Sequence, residues 1–217
     1  MVAPVILVVA LVVALVAIGA ITWALARRAR AASDERWRLS MQKLGAFCDV
    51  FAAQHGLVCV KGGDQWPYGW PRLRGTVGET EYSLAFGWRH GEDWVASMRM
   101  RAPSREHGEI RAWRVPPPAL PTRGRLQRVG DPAFDLFCTV WTAGAIDVAA
   151  IVSPAARRDL LAIPLFELTY RDGVAVISWS CESFLADGGD GFFATIEAAY
   201  RALDEIANTS RSQRVYR

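Results

Sequence analysis

The sequence predicts an α+β protein with an N-terminal transmembrane helix, followed by a soluble domain of antiparallel β segments packed with amphipathic helices. Three observations predict it. Residues 2–26 carry no charged side chain, residues 82–88 and 94–100 alternate apolar with small or polar side chains, and residues 192–206 repeat apolar side chains at steps of four and three. These patterns belong to a membrane span, to half-buried strands and to an amphipathic helix, respectively.

The 2–26 run is dominated by Val, Leu, Ala and Ile. As a helix rising about 1.5 Å per residue it would reach about 37 Å, enough to cross a hydrocarbon core of about 30 Å with some tilt. A cleaved signal peptide is the competing reading, with Ala-Arg-Ala at 29–31 resembling a cleavage site. No Lys or Arg precedes the run, however, and it is longer than a signal core. Arg27, Arg28 and Arg30 follow it directly. The positive-inside rule then keeps the domain in the cytoplasm, on a single-pass anchor at residues 1–27 in a bacterial inner membrane.

Residues 28–56 predict a juxtamembrane amphipathic helix, with Trp37, Met41, Leu44, Cys48 and Phe51 on one stripe and Gly56 as a left-handed cap. Residues 57–115 predict an antiparallel β segment. A strand near 73–77 precedes a hairpin in which Tyr82, Leu84, Phe86 and Trp88 face the same side as Trp94, Ala96, Met98 and Met100. Residues 116–125 form a proline-rich connector that cannot join a central ladder, because proline lacks the donor. Residues 126–208 predict an α+β segment. In it Ser153-Pro154 starts a helix, Asp172-Gly173 turns a hairpin, and the 192–206 stripe makes a terminal helix. Residues 209–217 are a polar tail.

Within the 126–208 segment, Asp131-Pro132, Phe134-Asp135, the strand after them, the "VSPAARRDLL" stretch at 152–161 and the Asp172-Gly173 hairpin resemble a group of bacterial membrane-anchored proteins of unknown function. In that group an acidic-Pro-x-Phe-acidic block precedes a strand, and a Ser/Thr-Pro helix ending in paired leucines follows. The resemblance implies the architecture and the membrane anchor. It transfers no catalytic residue. The chain departs from the group in having one span where members often have two, and in placing Cys138 and Trp141 on the strand.

Net charge is +3, carried almost wholly by Arg, a bias that a GC-rich coding sequence also produces. Cys48, Cys59, Cys138 and Cys181 lie among apolar residues without a Cys-x-x-Cys pair, which predicts buried free thiols rather than a disulfide scaffold.

Candidate chemistry is sparse. Asp131 and Asp135 are spaced for a helix face, but the Asp-Pro step predicts a turn at a structural corner rather than a metal or acid-base pair. His55, His90 and His107 each precede glycine, as turn residues do. "ADGGDG" at 186–191 lacks the further ligands of a calcium loop, so Asp190 is expected to cap the last helix. No nucleophile elbow, phosphate-binding loop, dinucleotide fingerprint or zinc-ligand helix is present, so no cofactor or metal is expected.

Two features point to binding. "WPYGWP" at 66–71 sets Trp66, Tyr68 and Trp70 between prolines, where ring faces can meet sugars, peptides or a bilayer interface. Between Arg99 and Arg128 there are eight arginines, among them Arg101, Arg111 and Arg114. On one face these would meet anionic lipid headgroups or a protein partner, whereas nucleic acid is disfavoured for want of a recognised motif. The expected function is therefore an interaction or scaffold module at the membrane. An enzyme with its site between the two β segments, or an outward-facing envelope-binding domain, stands as the alternative.

Overall fold

Alternating runs become strands, and the strands join one antiparallel sheet in the order β1-β2-β3-β4-β9-β8-β5-β7-β6. The structure, a computed structural model, describes the backbone of residues 2–61, 69–89, 93–104, 107–117, 120–181, 184 and 189–212. Within its helices and strands, the side chains of residues 2–14, 16, 17, 88, 89, 93 and 212 lie outside the described set. The strands are β1 (Val58–Val60), β2 (Arg72–Val77), β3 (Thr80–Arg89), β4 (Asp93–Arg101), β5 (Glu109–Trp113), β6 (Arg125–Gln127), β7 (Thr139–Ala143), β8 (Glu167–Arg171) and β9 (Val174–Ser180). The helices are α1 (Val2–His55), α2 (Pro132–Phe137), α3 (Val148–Ile151), α4 (Pro154–Leu161) and α5 (Asp190–Ser212).

The chain divides into two units, residues 1–42 and 43–217. The first is helix α1 up to Gln42, where Arg38 and Glu35 form an ion pair at 2.7 Å. This region corrects the expected anchor. Most side chains of the 2–26 run lie outside the described residues, and among the described residues no helix is long and apolar enough to cross a membrane. The transmembrane fold class, the single-pass inner-membrane placement and the cytoplasmic assignment that followed from it are therefore not retained. The helix expected over 28–56 is continuous with the one before it, since α1 runs unbroken to His55.

In the second unit, the end of α1 buries Leu44, Cys48, Phe51 and Ala52, the last turns of the predicted stripe. Gly56 then takes φ +66, and Leu57 N–H donates to Ala52 O at 2.8 Å, which ends the helix as a left-handed cap does. Hairpin β3–β4 has the register the alternation implies, with Tyr82 opposite Met100, Leu84 opposite Met98 and Phe86 opposite Ala96. Asp172 and Gly173, at φ 49 and 80, turn β8 into β9 with both residues in the left-handed region that a two-residue hairpin requires.

The expected division into two β segments joined by a connector is also corrected. The late hairpin inserts into the early strands: β9 pairs with β4 from Val95↔Ser180 to Arg101↔Val174, and β8 pairs with β5. Apolar strands with one buried face gain most by extending a shared core, and here that core is covered by α5 and its neighbours. Met98, Met100, Ile110, Leu168, Tyr170, Ala175 and Ile177 are essentially inaccessible on the helical side of the sheet, with Phe192, Ile196, Ala199, Leu203 and Ile206 of α5 buried over it. The polar tail is shorter than expected, because α5 continues to Ser212.

Strands β5 and β6 flank β7 and both run antiparallel to it, so the proline-rich stretch between them must cross over β7. It crosses on the face away from the helices. Gly124 lies so close to Trp141 that a Cβ there would fall 2.3 Å from the indole and 2.4 Å from Thr142 O. Trp141, at the sheet surface by register, is buried by this crossover to 4% exposure.

Candidate interaction surface

The sheet has a second face on which alternate residues remain half-buried or exposed. Register places Arg74, Ser83, Arg99, Val176, Thr169 and Arg111 side by side across six strands. One row along, Thr76, Glu81, Arg101, Val174, Arg171 and Glu109 follow in the same order. Every one of these twelve residues is half-buried or exposed, while their chain neighbours Leu73, Tyr82, Leu84, Met98, Met100, Ala175, Ile177, Leu168, Tyr170 and Ile110 point into the core. The alternation that builds the core therefore builds this face too, since successive strand side chains point to opposite sides.

Two shallow depressions lie on it. The first, about 590 Å³, is lined by Val58, Arg74, Thr76, Glu81, Arg99 and Arg101 among others. Here, among the described residues, none of the three guanidiniums has a carboxylate within ion-pairing distance. The second, about 630 Å³, lies beside the crossover and includes Glu109, Arg111, Arg123, Trp141, Arg171 and Asp172. Two of its three cations are internally matched: Arg111 Nε donates to Glu109 Oε1, and Arg171 sits 3.6 Å from Asp172. Arg111 also lies over the Trp141 ring, 5.8 Å from its centroid.

The residues singled out from the sequence are distributed unevenly. Arg99 and Arg101 lie on the open face, and Arg111 joins them in its paired state. Arg114 does not serve as free surface: its guanidinium donates to Leu161 O and Ile163 O, both at 3.2 Å, and covers Phe137, pinning the end of α4 to β5. Trp70 is a core residue rather than an exposed ring. It is 4% exposed and stacks on Phe86 at 4.7 Å, with Trp94 and Phe184 beside it, because a large ring gains most from aromatic packing on both sides. Trp66 and Tyr68 lie outside the described residues. Arg74 was missed, although Arg72 and Arg74 alternate with buried Leu73 and so announce their side of β2.

Among the described residues, the candidate histidines are not brought to Asp131 and Asp135. Asp131 caps α2, accepting from Ala133 N–H and Phe134 N–H at 3.1 Å each. Asp135 reaches back to accept from Val129 N–H at 2.9 Å and Gly130 N–H at 3.0 Å. The segment is thus a short helix, which the sequence reading did not expect, and both carboxylates are engaged by the backbone at its entrance. Buried Arg157 ties the corner to α4 by donating to Val129 O at 3.3 Å.

His55 packs far away between Phe51 and Tyr200, with ring centroids at 4.4 and 4.1 Å. Burial holds its pKa below the usual histidine value, against the pull of Glu197 and Asp204. His107 is exposed beside Asp172, His90 and Asp187 lie outside the described residues, and Asp190 sits in the first turn of α5 rather than before it. Among the described residues no cluster of three metal-ligating side chains occurs. Burial pushes the Cys48 and Cys181 thiols up to about 12 and Cys138 up to about 11, far from a reactive thiolate.

No family model and no curated protein matches the chain. Among solved structures it is similar to the crystal structure of the mycobacterial trehalose monomycolate transport factor A, at 12% sequence identity and a TM-score of 0.41, over 77% of this chain and 94% of that one.

Proposed function

We propose that the 43–217 unit is an interaction module that docks a partner on the sheet face opposite its helices. The observation that carries this reading is the one-sided sheet. Helices cover one face and bury its central residues, while the other presents two aligned rows rich in Arg, Ser, Thr and Val over six strands. Its depressions are shallow and open, a shape suited to a macromolecular surface rather than an enclosed small-molecule site. The dispersal of Asp131, Asp135, His55 and His107 favours binding over catalysis, because acid-base work needs such groups within hydrogen-bond reach of one substrate.

The test is site-specific photocrosslinking in cells. A benzophenone residue replacing exposed Ala85, on the open face, is expected to give a discrete adduct, while one replacing exposed Arg158, on α4, gives none. Matching adduct patterns from the two positions, or no adduct from Ala85, would refute docking on this face.

A further inference from the structure

We propose that the occupant of the open face is an acidic polypeptide segment in extended conformation, its alternate carboxylates held by Arg74, Arg99 and Arg101; this rests on the docking reading above. Three observations favour that chemistry. Charge comes first. Arg74 and Arg99 lie on the same row with only Ser83 between them, and Arg101 follows Arg99 by two residues on β4. Glu81 is the single acid lining their depression, opposite Arg101 in register but outside ion-pairing distance. Three guanidiniums so placed repel one another, and the repulsion is relieved when a partner supplies carboxylates.

Spacing comes second. Residues two apart on a strand are about 7 Å apart, so Arg99 and Arg101 match the carboxylates of residues i and i+2 in an extended chain. Arg74, two strands away at about 10 Å, reaches the same chain from its other flank. Guanidinium forks favour such planar, bidentate acceptors.

The surroundings come third. Around the arginines the face carries Ser83, Ser97, Val174 and Val176, short side chains at which a backbone can approach closely. A nucleic-acid strand would call for exposed aromatic platforms, and Trp141, on this side of the sheet, is covered by the crossover. A lipid surface would call for protruding Trp, Phe or Leu to enter the acyl boundary, and these two rows carry none between β2 and β5.

The experiment titrates the full chain into a fluorescent peptide of alternating Glu and Thr. The parallel probes are inorganic phosphate and phosphatidylglycerol vesicles. Binding is expected to weaken steeply with added salt, to fall at least tenfold in Arg99→Glu/Arg101→Glu and several-fold in Arg74→Ala, and to stay unchanged in Arg158→Glu. Arg99→Lys/Arg101→Lys, with charge kept and the forks removed, is expected to lie between. An equal affinity in the reversal and control variants would overturn the proposal, as would capture of vesicles or phosphate without the peptide. If the peptide fails while the Ala85 adduct persists, the acidic segment is wrong and the docking face stands. Loss of both removes the docking reading itself.

Discussion

Replacing Gly124 with alanine tests how the crossover packs on the sheet. The new Cβ would fall 2.3 Å from a ring carbon of Trp141 and 2.4 Å from Thr142 O, whereas ordinary contact begins near 3.4 Å. Either the loop lifts by about 1 Å or the indole moves, and Thr142 cannot yield freely because it pairs with Arg125 in the β6–β7 ladder. Overpacking of this kind costs about 1–3 kcal/mol, and a backbone at φ +137, suited to glycine, adds about 1–3 kcal/mol for a residue with a Cβ. The total is about 2–6 kcal/mol, a large part of the stability of an ordinary domain. Urea unfolding of the full chain should show a lower midpoint with little change in slope. Combining Gly124→Ala with Trp141→Leu should recover about 1 kcal/mol or more as coupling, since the smaller side chain removes the ring contact but not the backbone strain. A Gly124→Ala midpoint within error of the parent, or strictly additive effects in the double variant, would refute the crossover geometry.

Further outcomes follow from the same structure. Trp70→Ala should destabilise by about 3–5 kcal/mol in the same assay, because a stacked core ring is removed; a surface ring would change stability by less than about 0.5 kcal/mol. Asp131→Ala and Asp135→Ala should each cost about 1–2 kcal/mol, through the two backbone amides that each carboxylate satisfies, and Asp131→Asn should recover most of the first loss. His55 has a folded pKa below its unfolded value, so the unfolded chain binds the proton more readily. Stability should therefore decline as pH falls below about 6.5 and recover as it rises, and His55→Asn should flatten that part of the curve in a pH series of unfolding midpoints. A thiol-reactive dye at pH 8 should leave Cys48, Cys138 and Cys181 unmodified until the chain unfolds, and rapid labelling of those three in the native protein would contradict their burial.

The amino-acid sequence determined the local elements. Alternation between Tyr82 and Met100 specifies a hairpin with one buried face, Ser153-Pro154 caps and starts α4, Asp172-Gly173 supplies the two left-handed residues of a tight turn, and the stripe from Phe192 to Ile206 specifies an amphipathic helix. Each signal acts over a few residues, through φ preference, capping or side-chain period. Asp131 and Asp135 were legible as a corner, though not as a helix entrance, because six residues carry too little periodicity to announce a helix.

Only the tertiary structure decided that β9 pairs with β4 and that β5 lies between β8 and β7, because any of these half-buried strands could satisfy its ladder with several partners. The choice falls to the shared core beneath α5. The same packing turned Trp70 inward and committed Arg114 to the carbonyls of Leu161 and Ile163. It also gathered Arg74, from an early strand the arginine count had passed over, beside Arg99 and Arg101. A run of basic residues states how much charge a chain carries; which charges share a face depends on strand register, and register is set by contacts between residues far apart in the chain.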